Sequence, residues 1–580
     1  MVLLTYHYAP PARAAYEVNG MDYKTYIARK LNIGSLSEAE VAAMLEIPPD
    51  NAMGDYALPC FKLAKTLRKP PAAIAQALAE TFAPDDTIKE VSAVNGYLNF
   101  KVDRLRYAER VVKEVLEQGA AYGSSSLGAG KTICIDYSSI NIAKPFHIGH
   151  LSTTVIGSAL YKILSFSGYK VVGINHLGDY GTQFGKLIVA YKRWGDRERI
   201  EEGKLKELMR IYVKYHEEAE KHPELDDEAR HYFKLIEDGD EEATALFSWF
   251  KEITLKEVQK IYDRLNVTFD SYAGESFYND KMQPIVDELK EKGLLKISDG
   301  AAIVDLEPYG MPPCLILKKD GSSLYATRDM AAAVYRKKTY DFYKSLYVVA
   351  YQQDLHFKQF FKVLELMGKE WAKDLVHVSY GMVSMEDGAM STRTGKVVLL
   401  EDVLDKCVEK ARAVIEEKNA ALENKDEIAR QVGTGAVIFG ALYNNKIKDI
   451  VFSFDKVLNF DGETCPYVQY TGARCNSVLK KGGAAGAYAV KELTEEEYSL
   501  VSLLGNFGEV VKEAGEKYEP SYVTRYAVDL AKAYNRFYIS NKIIGSEENV
   551  KNFRLALTGA VKTVLENAFR LLGIEIPEKM

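Results

Sequence analysis

Two histidines three residues apart stand out in this chain. His147 and His150 enclose Ile148-Gly149 and close the string Asn141-Ile142-Ala143-Lys144-Pro145-Phe146-His147-Ile148-Gly149-His150. Imidazoles near a helix start can donate hydrogen bonds to phosphate oxygens, where free backbone N–H groups and the positive end of the helix dipole already favour an anion. Gly149 removes the side chain that would hold a nucleotide away from the backbone. The bland alternative is a pair of histidines capping a turn.

The elements that position this string follow from the pattern around it. Ile133-Cys134-Ile135-Asp136-Tyr137 reads as a buried strand. Leu151, Val155, Ile156, Ala159, Leu160, Ile163 and Leu164 recur at helical spacing, with Gly168 as the stop. Lys170-Val171-Val172-Gly173-Ile174 reads as the next strand. The histidines therefore fall where a strand hands over to a helix in a βαβ unit, a favoured place for nucleotides.

A chain of 580 residues is too long for one ordinary core, so three or four domains are expected. With 47% hydrophobic and 27% charged residues, it has a globular composition. No apolar run is long enough for a bilayer, and the first twenty residues lack the order of a secretion signal. Six cysteines without a paired C-x-x-C pattern argue against zinc ribbons and a disulfide framework, which fits a reducing cytoplasm. A net charge of −7 neither recommends nor excludes a nucleic-acid partner, because binding needs only a local basic face.

Residues 21–122 alternate helices with short strands; Pro70 and Pro71 precede an alanine-rich helix, and Val91 to Phe100 reads as one strand. Gly123 to Gly130 reads as a linker. Residues 123–395 carry the α/β signals, with a charged and largely helical insertion over 186–295. Residues 396–455 read as a helical connector and 456–580 as a helical domain.

The His147–His150 string resembles the HIGH signature of class I aminoacyl-tRNA synthetases, and its wider setting resembles the arginyl branch. Three more strings resemble that branch: Asn175-His176-Leu177-Gly178-Asp179 and on to Gly185, Asp320 to Asp329, and Gln352-Gln353-Asp354-Leu355-His356-Phe357. The resemblance begins at Met21, so residues 1–20 are expected to be an extension, with Met1 and Met21 both available as starts. It implies an α/β architecture: a Rossmann-like HIGH-type nucleotide-binding catalytic domain with helical insertions, an α+β N-terminal domain, and an all-α C-terminal anticodon-binding bundle. It also implies activation of L-arginine by ATP to arginyl-adenylate and pyrophosphate. Transfer to the 3′-terminal adenosine of tRNA(Arg) then releases AMP.

On that resemblance Asp136 and Asp329 hold the substrate guanidinium, a planar cation with donors in a fixed fork. Tyr325 packs on the guanidinium or its stem. Asn141, Gln353 and the Ser139 backbone hold the α-amino end. His147, Gly149, His150 and His356 are the expected nucleotide contacts. A site that rejects lysine by leaving its acceptors unpaired needs no editing domain.

The second class I signature, Lys-Met-Ser-Lys-Ser, is altered. Ala389-Met390-Ser391-Thr392-Arg393 stands there, so both signature lysines are missing. The resemblance makes Met390, Ser391, Thr392, Arg393 and Lys396 ATP-binding residues. It also implies that Lys144, just before the histidine string, compensates for the lost charge. Cations there stabilise the charge developing on pyrophosphate as it leaves. Mg²⁺ is expected with ATP, held largely by phosphate oxygens and water, with no dedicated metal site and no protein-bound zinc.

The C-terminal region resembles the family's anticodon-binding bundle, with Tyr467, Tyr470, Arg474, Tyr534 and Tyr538 as candidate RNA contacts, since aromatics and arginines can stack on unpaired bases. At helical spacing such tyrosines also make ordinary core. Tyr97 and Asn99 are the corresponding candidates on the N-terminal domain, which in the family touches the tRNA elbow. The resemblance further implies that bound tRNA is needed even for the first step. A monomer working in the cytoplasm, with no membrane partner, is expected. Two rivals stay open: a small nucleotidyltransferase using a HIGH-type site, and a non-catalytic RNA-binding paralogue.

Overall fold

The computed structural model describes residues 23–48, 53–142, 144–319, 325–386 and 398–580. The expected extension over residues 1–20 and the segment from Ala389 to Lys396 lie outside the described residues. The chain divides into two units, residues 1–111 with 489–494, and residues 112–488 with 495–580.

The first unit holds a three-stranded antiparallel sheet in the order Tyr56–Pro59, Tyr97–Val102, Ile88–Val94. The single strand read over Val91 to Phe100 is therefore a hairpin. Asn95 and Gly96 both take positive φ, 50° and 81°, as a tight two-residue turn between twisted strands requires. Helix Pro71–Thr81 starts on a proline, which needs no N–H there, and buries Ile74 and Ala75. Helix Glu38–Met44 opens with a capping box between Ser37 and Glu40.

The second unit is built on a four-stranded parallel sheet in the order Leu375–Tyr380, Lys344–Ala350, Thr132–Asp136, Lys170–Ile174. Helix Leu151–Phe166 joins the last two of these strands. The two central strands are adjacent but lead in opposite directions across the sheet, so the crevice beyond Asp136 and Ala350 is a topological switch point. Gly157 lets helix Leu151–Phe166 lie against Tyr137, because a Cβ there would sit 2.3 Å from that side chain.

Four helices, Thr182–Trp194, Arg197–Ala219, Glu224–Asp238 and Glu241–Arg264, make up most of the insertion. Helix Met282–Glu291 and an antiparallel sheet of Leu295–Ser298, Ala301–Val304 and Cys314–Leu317 follow. That small sheet was not foreseen in the sequence. Beyond residue 398 the described chain is helical except for strand Ile450–Phe452, which pairs in parallel with Val383–Met385. Helices Cys465–Gly482, Glu495–Glu516, Ser521–Ser540 and Glu548–Leu572 form a bundle whose centre includes Val501, Leu504, Ala531, Val561 and Leu565. The six cysteines are buried and unpaired. No helix among the described residues is long and apolar enough to cross a membrane.

Candidate active site

The two histidines fix each other through the backbone. His147 Nδ1 accepts the Gly149 N–H at 3.1 Å, and His150 Nδ1 accepts the His147 N–H at 3.2 Å. Both Nδ1 lone pairs are thereby used, so the remaining proton of each neutral ring lies on Nε2. Burial depresses the His150 pKa to about 3, with the charges of His147 and Lys144 adding to the effect. Burial and Lys144 also lower that of His147. Near neutral pH the pair is two uncharged rings, 3.9 Å between centroids, each with one N–H to donate.

Backbone bonds tie this string to the residues just past the second ATP segment. Ile148 N–H donates to Val398 at 3.1 Å and Leu400 N–H to Phe146 at 3.0 Å. The chain before that segment, Val383–Met385, is held by Ile450–Phe452. Met390, Ser391, Thr392, Arg393 and Lys396 themselves fall outside the described residues. Lys144 is exposed and close enough for its charge to act on both histidines.

Beside the histidines lies a cluster of carboxylates at the switch point. Tyr325, Asp329 and Arg336 fall on one stripe of helix Tyr325–Tyr340, being four and then seven residues apart. Asp329 accepts from His356 Nε2 at 2.6 Å and faces His176 Nε2 at 3.9 Å. Burial disfavours its charge, but the His356 hydrogen bond, with His176 and Arg336, outweighs this and lowers its pKa. His356, expected on the nucleotide, reaches this carboxylate with its Nε2 from helix Asp354–Leu366.

Asp136, expected on the substrate guanidinium, already has partners within the chain. Its carboxylate takes Arg336 Nη2 at 2.7 Å and Ser139 Oγ at 2.7 Å, so it is committed to a guanidinium of the chain itself. Arg336 is 1% exposed, and a buried cation must be paired. Its Nη2 also donates to His176 Nδ1 at 3.4 Å, which leaves the Nε2–H of that ring facing Asp329.

Glu275 was missed in the sequence. It opens the short helical turn Glu275–Lys281, with Arg328 Nη1 at 3.3 Å, and Arg328 in turn lies 4.7 Å over the Tyr180 ring. Burial pushes the Glu275 pKa up to about 7; Arg328 opposes the rise, while Asp329 and Asp179 add to it. Asp179, fully buried, is paired with Lys251. Histidines aside, three cations, Arg328, Arg336 and Lys251, face four carboxylates, Asp136, Asp179, Glu275 and Asp329. With Glu275 ionised the cluster is one positive charge short, and Asp329 is the carboxylate whose hydrogen-bond and ion-pair partners are only imidazoles.

The loop after Asp136 is bent by left-handed backbone at Ser138 and Ser139, φ 69° and 42°. Ser138 Oγ secures it through Thr154 at 2.9 Å and Tyr262 at 2.8 Å. Asn141 then lies against Gly178, where a Cβ would come within 2.2 Å of its Oδ1. Gln353 is exposed at the end of the short turn Tyr351–Gln353, and Tyr325 is exposed at the helix start. Among the described residues no group of three or more His, Cys, Asp or Glu side chains is arranged to hold a metal ion.

A buried histidine pair and a cation-deficient pocket stand on one parallel sheet, and likeness to known proteins decides the family. Residues 111–454 match the model of the catalytic domain of class I tRNA synthetases (R). Residues 468–580 match the DALR anticodon binding domain, and 21–102 the arginyl tRNA synthetase N-terminal domain. The arginine–tRNA ligase of Halothermothrix orenii is 52% identical over 94% of this chain and 97% of its own length. The chain belongs to the arginyl-tRNA synthetase family. The arginine–tRNA ligase of Clostridioides difficile is 52% identical over 96% of this chain and all of its own. Arginyl-tRNA synthetase from Thermus thermophilus superposes with a TM-score of 0.83 at 26% identity, covering 96% of this chain and 99% of that one.

The family's RNA-facing candidates fare unequally. On the bundle, Arg474 lies between two rings, 4.9 Å from Tyr470 and 5.0 Å from Tyr538, with Asn535 accepting from its Nη1. Tyr470 and Tyr538 are exposed. Tyr467 is half-buried in the first turn of the same helix as Tyr470. Tyr534 is fully buried, so it packs the bundle and offers no surface for RNA. In the first unit Tyr97 is half-exposed, edge-on to Phe61 at 5.1 Å, whereas Asn99 is buried and is likewise a packing residue.

Proposed function

We propose that the chain activates L-arginine with ATP and transfers it to the 3′-terminal adenosine of tRNA(Arg). The observation that carries this reading is the charge shortfall around Asp329. An arginine guanidinium supplies the missing positive charge, and its fork of donors matches carboxylates converging from different elements. Asp329 and Glu275 hold it, Tyr325 covers it, and Asn141, Gln353 and the Ser139 backbone take the α-amino end. Lysine brings the charge but not the fork.

The arginine carboxylate attacks the α-phosphate of ATP, forming the adenylate and releasing pyrophosphate. The Nε2–H groups of His147 and His150 donate to the phosphates, with the Gly149 backbone beside them. Because both rings stay neutral, they bind phosphate without a proton to lose, and positive charge comes from elsewhere. Lys144 supplies it, joined by Arg393 and Lys396 with Met390, Ser391 and Thr392 on the second ATP segment. Pocket carboxylates are taken up by arginines, a lysine and histidines, so Mg²⁺ travels with ATP on phosphate oxygens and water, neutralising charge there.

Residues 21–122 and 456–580 serve as tRNA-elbow and anticodon domains around a catalytic domain over 123–395 and a connector over 396–455. The stack of Tyr470, Arg474 and Tyr538 is the platform for an anticodon base, and Tyr97 the elbow contact. The chain acts as a monomer in the cytoplasm, and bound tRNA is required for activation. Charging of total tRNA with each labelled amino acid in turn tests the reading: arginine alone is incorporated, and incorporation of any other amino acid in its place overturns it.

A further inference from the structure

The turn that carries Glu275 is held from below by a buried carboxylate. Asp179 Oδ1 accepts the Ser276 N–H at 2.8 Å, and Oδ2 accepts the Ser276 hydroxyl at 2.8 Å and Lys251 Nζ at 2.5 Å. On the other side of Glu275, its own N–H donates to Leu177 at 2.9 Å. Glu275 is thus pinned by backbone bonds at itself and at its successor, both made to the loop 175–181. Gly274 permits the close passage: a Cβ there would lie 2.5 Å from Asp179 Oδ1 and 2.7 Å from the Leu177 oxygen.

Lys251 comes from a different part of the fold, helix Glu241–Arg264 of the insertion. It is the cation paired with Asp179, whose carboxylate is fully buried. A buried carboxylate stripped of its cation is costly and relaxes by moving or taking up a proton. Either response loosens the bonds to Ser276 and with them the aim of Glu275.

We propose that Lys251 is a positioning residue for the arginine site: through Asp179 it fixes the turn that presents Glu275 to the substrate guanidinium. This rests on the reading of Glu275 as an arginine ligand. The helical insertion thereby acts on amino-acid binding without touching the amino acid. It also sets the local charge. The groups facing Glu275 are Arg328 and Asp329 from helix Tyr325–Tyr340 and Asp179 from the loop 175–181, with His176 and His356 beyond them on Asp329. Removing Lys251 leaves Asp179 uncompensated, which adds negative charge beside Glu275 and makes it harder to ionise.

Pyrophosphate exchange by the full chain, with tRNA present, provides the test. Lys251→Met is expected to raise KM for arginine about tenfold, since small misplacements of a positioning group carry costs of that order or more. KM for ATP and kcat stay within about twofold, the scatter of an unaffected step. The acid limb of kcat/KM for arginine moves to higher pH, and Lys251→Arg restores both. Ser276→Ala removes one bond to Asp179 without touching charge and raises KM for arginine about threefold, the worth of one ordinary hydrogen bond. It decides the matter where Lys251→Met does not fold. An unchanged KM for arginine in folded variants, or equal rises for arginine and ATP, overturns the proposal. Absence of arginine-dependent exchange in the unaltered chain overturns the reading beneath it instead.

Discussion

The histidine pair and the arginine pocket are built in opposite ways. His147 and His150 are oriented by hydrogen bonds that span two or three residues. The pocket draws Asp136, Glu275, Asp329 and His356 from four separate stretches and balances them with Arg328, Arg336 and Lys251. One site is local and electrically neutral, the other long-range and highly charged. A local site tolerates change elsewhere in the fold; a charged long-range site transmits it.

The largest effect separating the two falls on Asp329. Asp329→Ala is expected to lower kcat/KM for arginine about 10²–10⁴-fold, because loss of one partner of a buried ion pair costs about 3–5 kcal/mol. ATP binding is little altered. Equal kcat/KM for arginine before and after the change removes Asp329 from the pocket. Lys144→Ala strikes the other site. At saturating arginine and tRNA it slows single-turnover adenylate formation about a hundredfold, as expected for a group stabilising charge on the leaving phosphate. An unchanged rate shifts that role to Arg393 or Lys396.

The pH response sharpens the contrast. Glu275 binds a guanidinium only when ionised, and burial has raised its pKa to about 7. Arginine kcat/KM therefore falls as pH drops through about 7 and levels above it. His150, with its pKa pushed down to about 3 by burial, contributes no limb in that range, and burial lowers that of His147 as well. An acid limb that appears equally in the kcat/KM of ATP, with arginine saturating, contradicts this division. The smallest effect belongs to the bundle surface. Arg474→Ala raises KM for tRNA about tenfold, within the range of one stacked base, and leaves exchange at saturating tRNA unchanged. A filter-binding or charging titration that shows no change removes the Tyr470–Arg474–Tyr538 stack from the RNA interface.

The same division explains what could be read in the chain before folding. The strand Lys170–Ile174 and the start of the helix at Leu151 stand where periodicity puts them, since each depends on its own residues. The hairpin at Asn95-Gly96 was overlooked although the dipeptide is a strong turn signal; the alternating run around it masked the break. Glu275 left no local trace. It is one acidic residue in a charged insertion, and only folding of the 175–181 loop beneath it gives it a role. Arg336 was partly legible, because seven residues place it on the face of Asp329, but nothing in the sequence says that Asp136 lies opposite. Tyr534 and Asn99 show the converse: their types suit RNA, and burial alone withdraws them.

The most direct test of the account is ATP–pyrophosphate exchange with each of the twenty amino acids, with and without total tRNA. The account predicts exchange with arginine alone, and only when tRNA is present. Exchange with a different amino acid, or none with arginine while tRNA is bound, contradicts it.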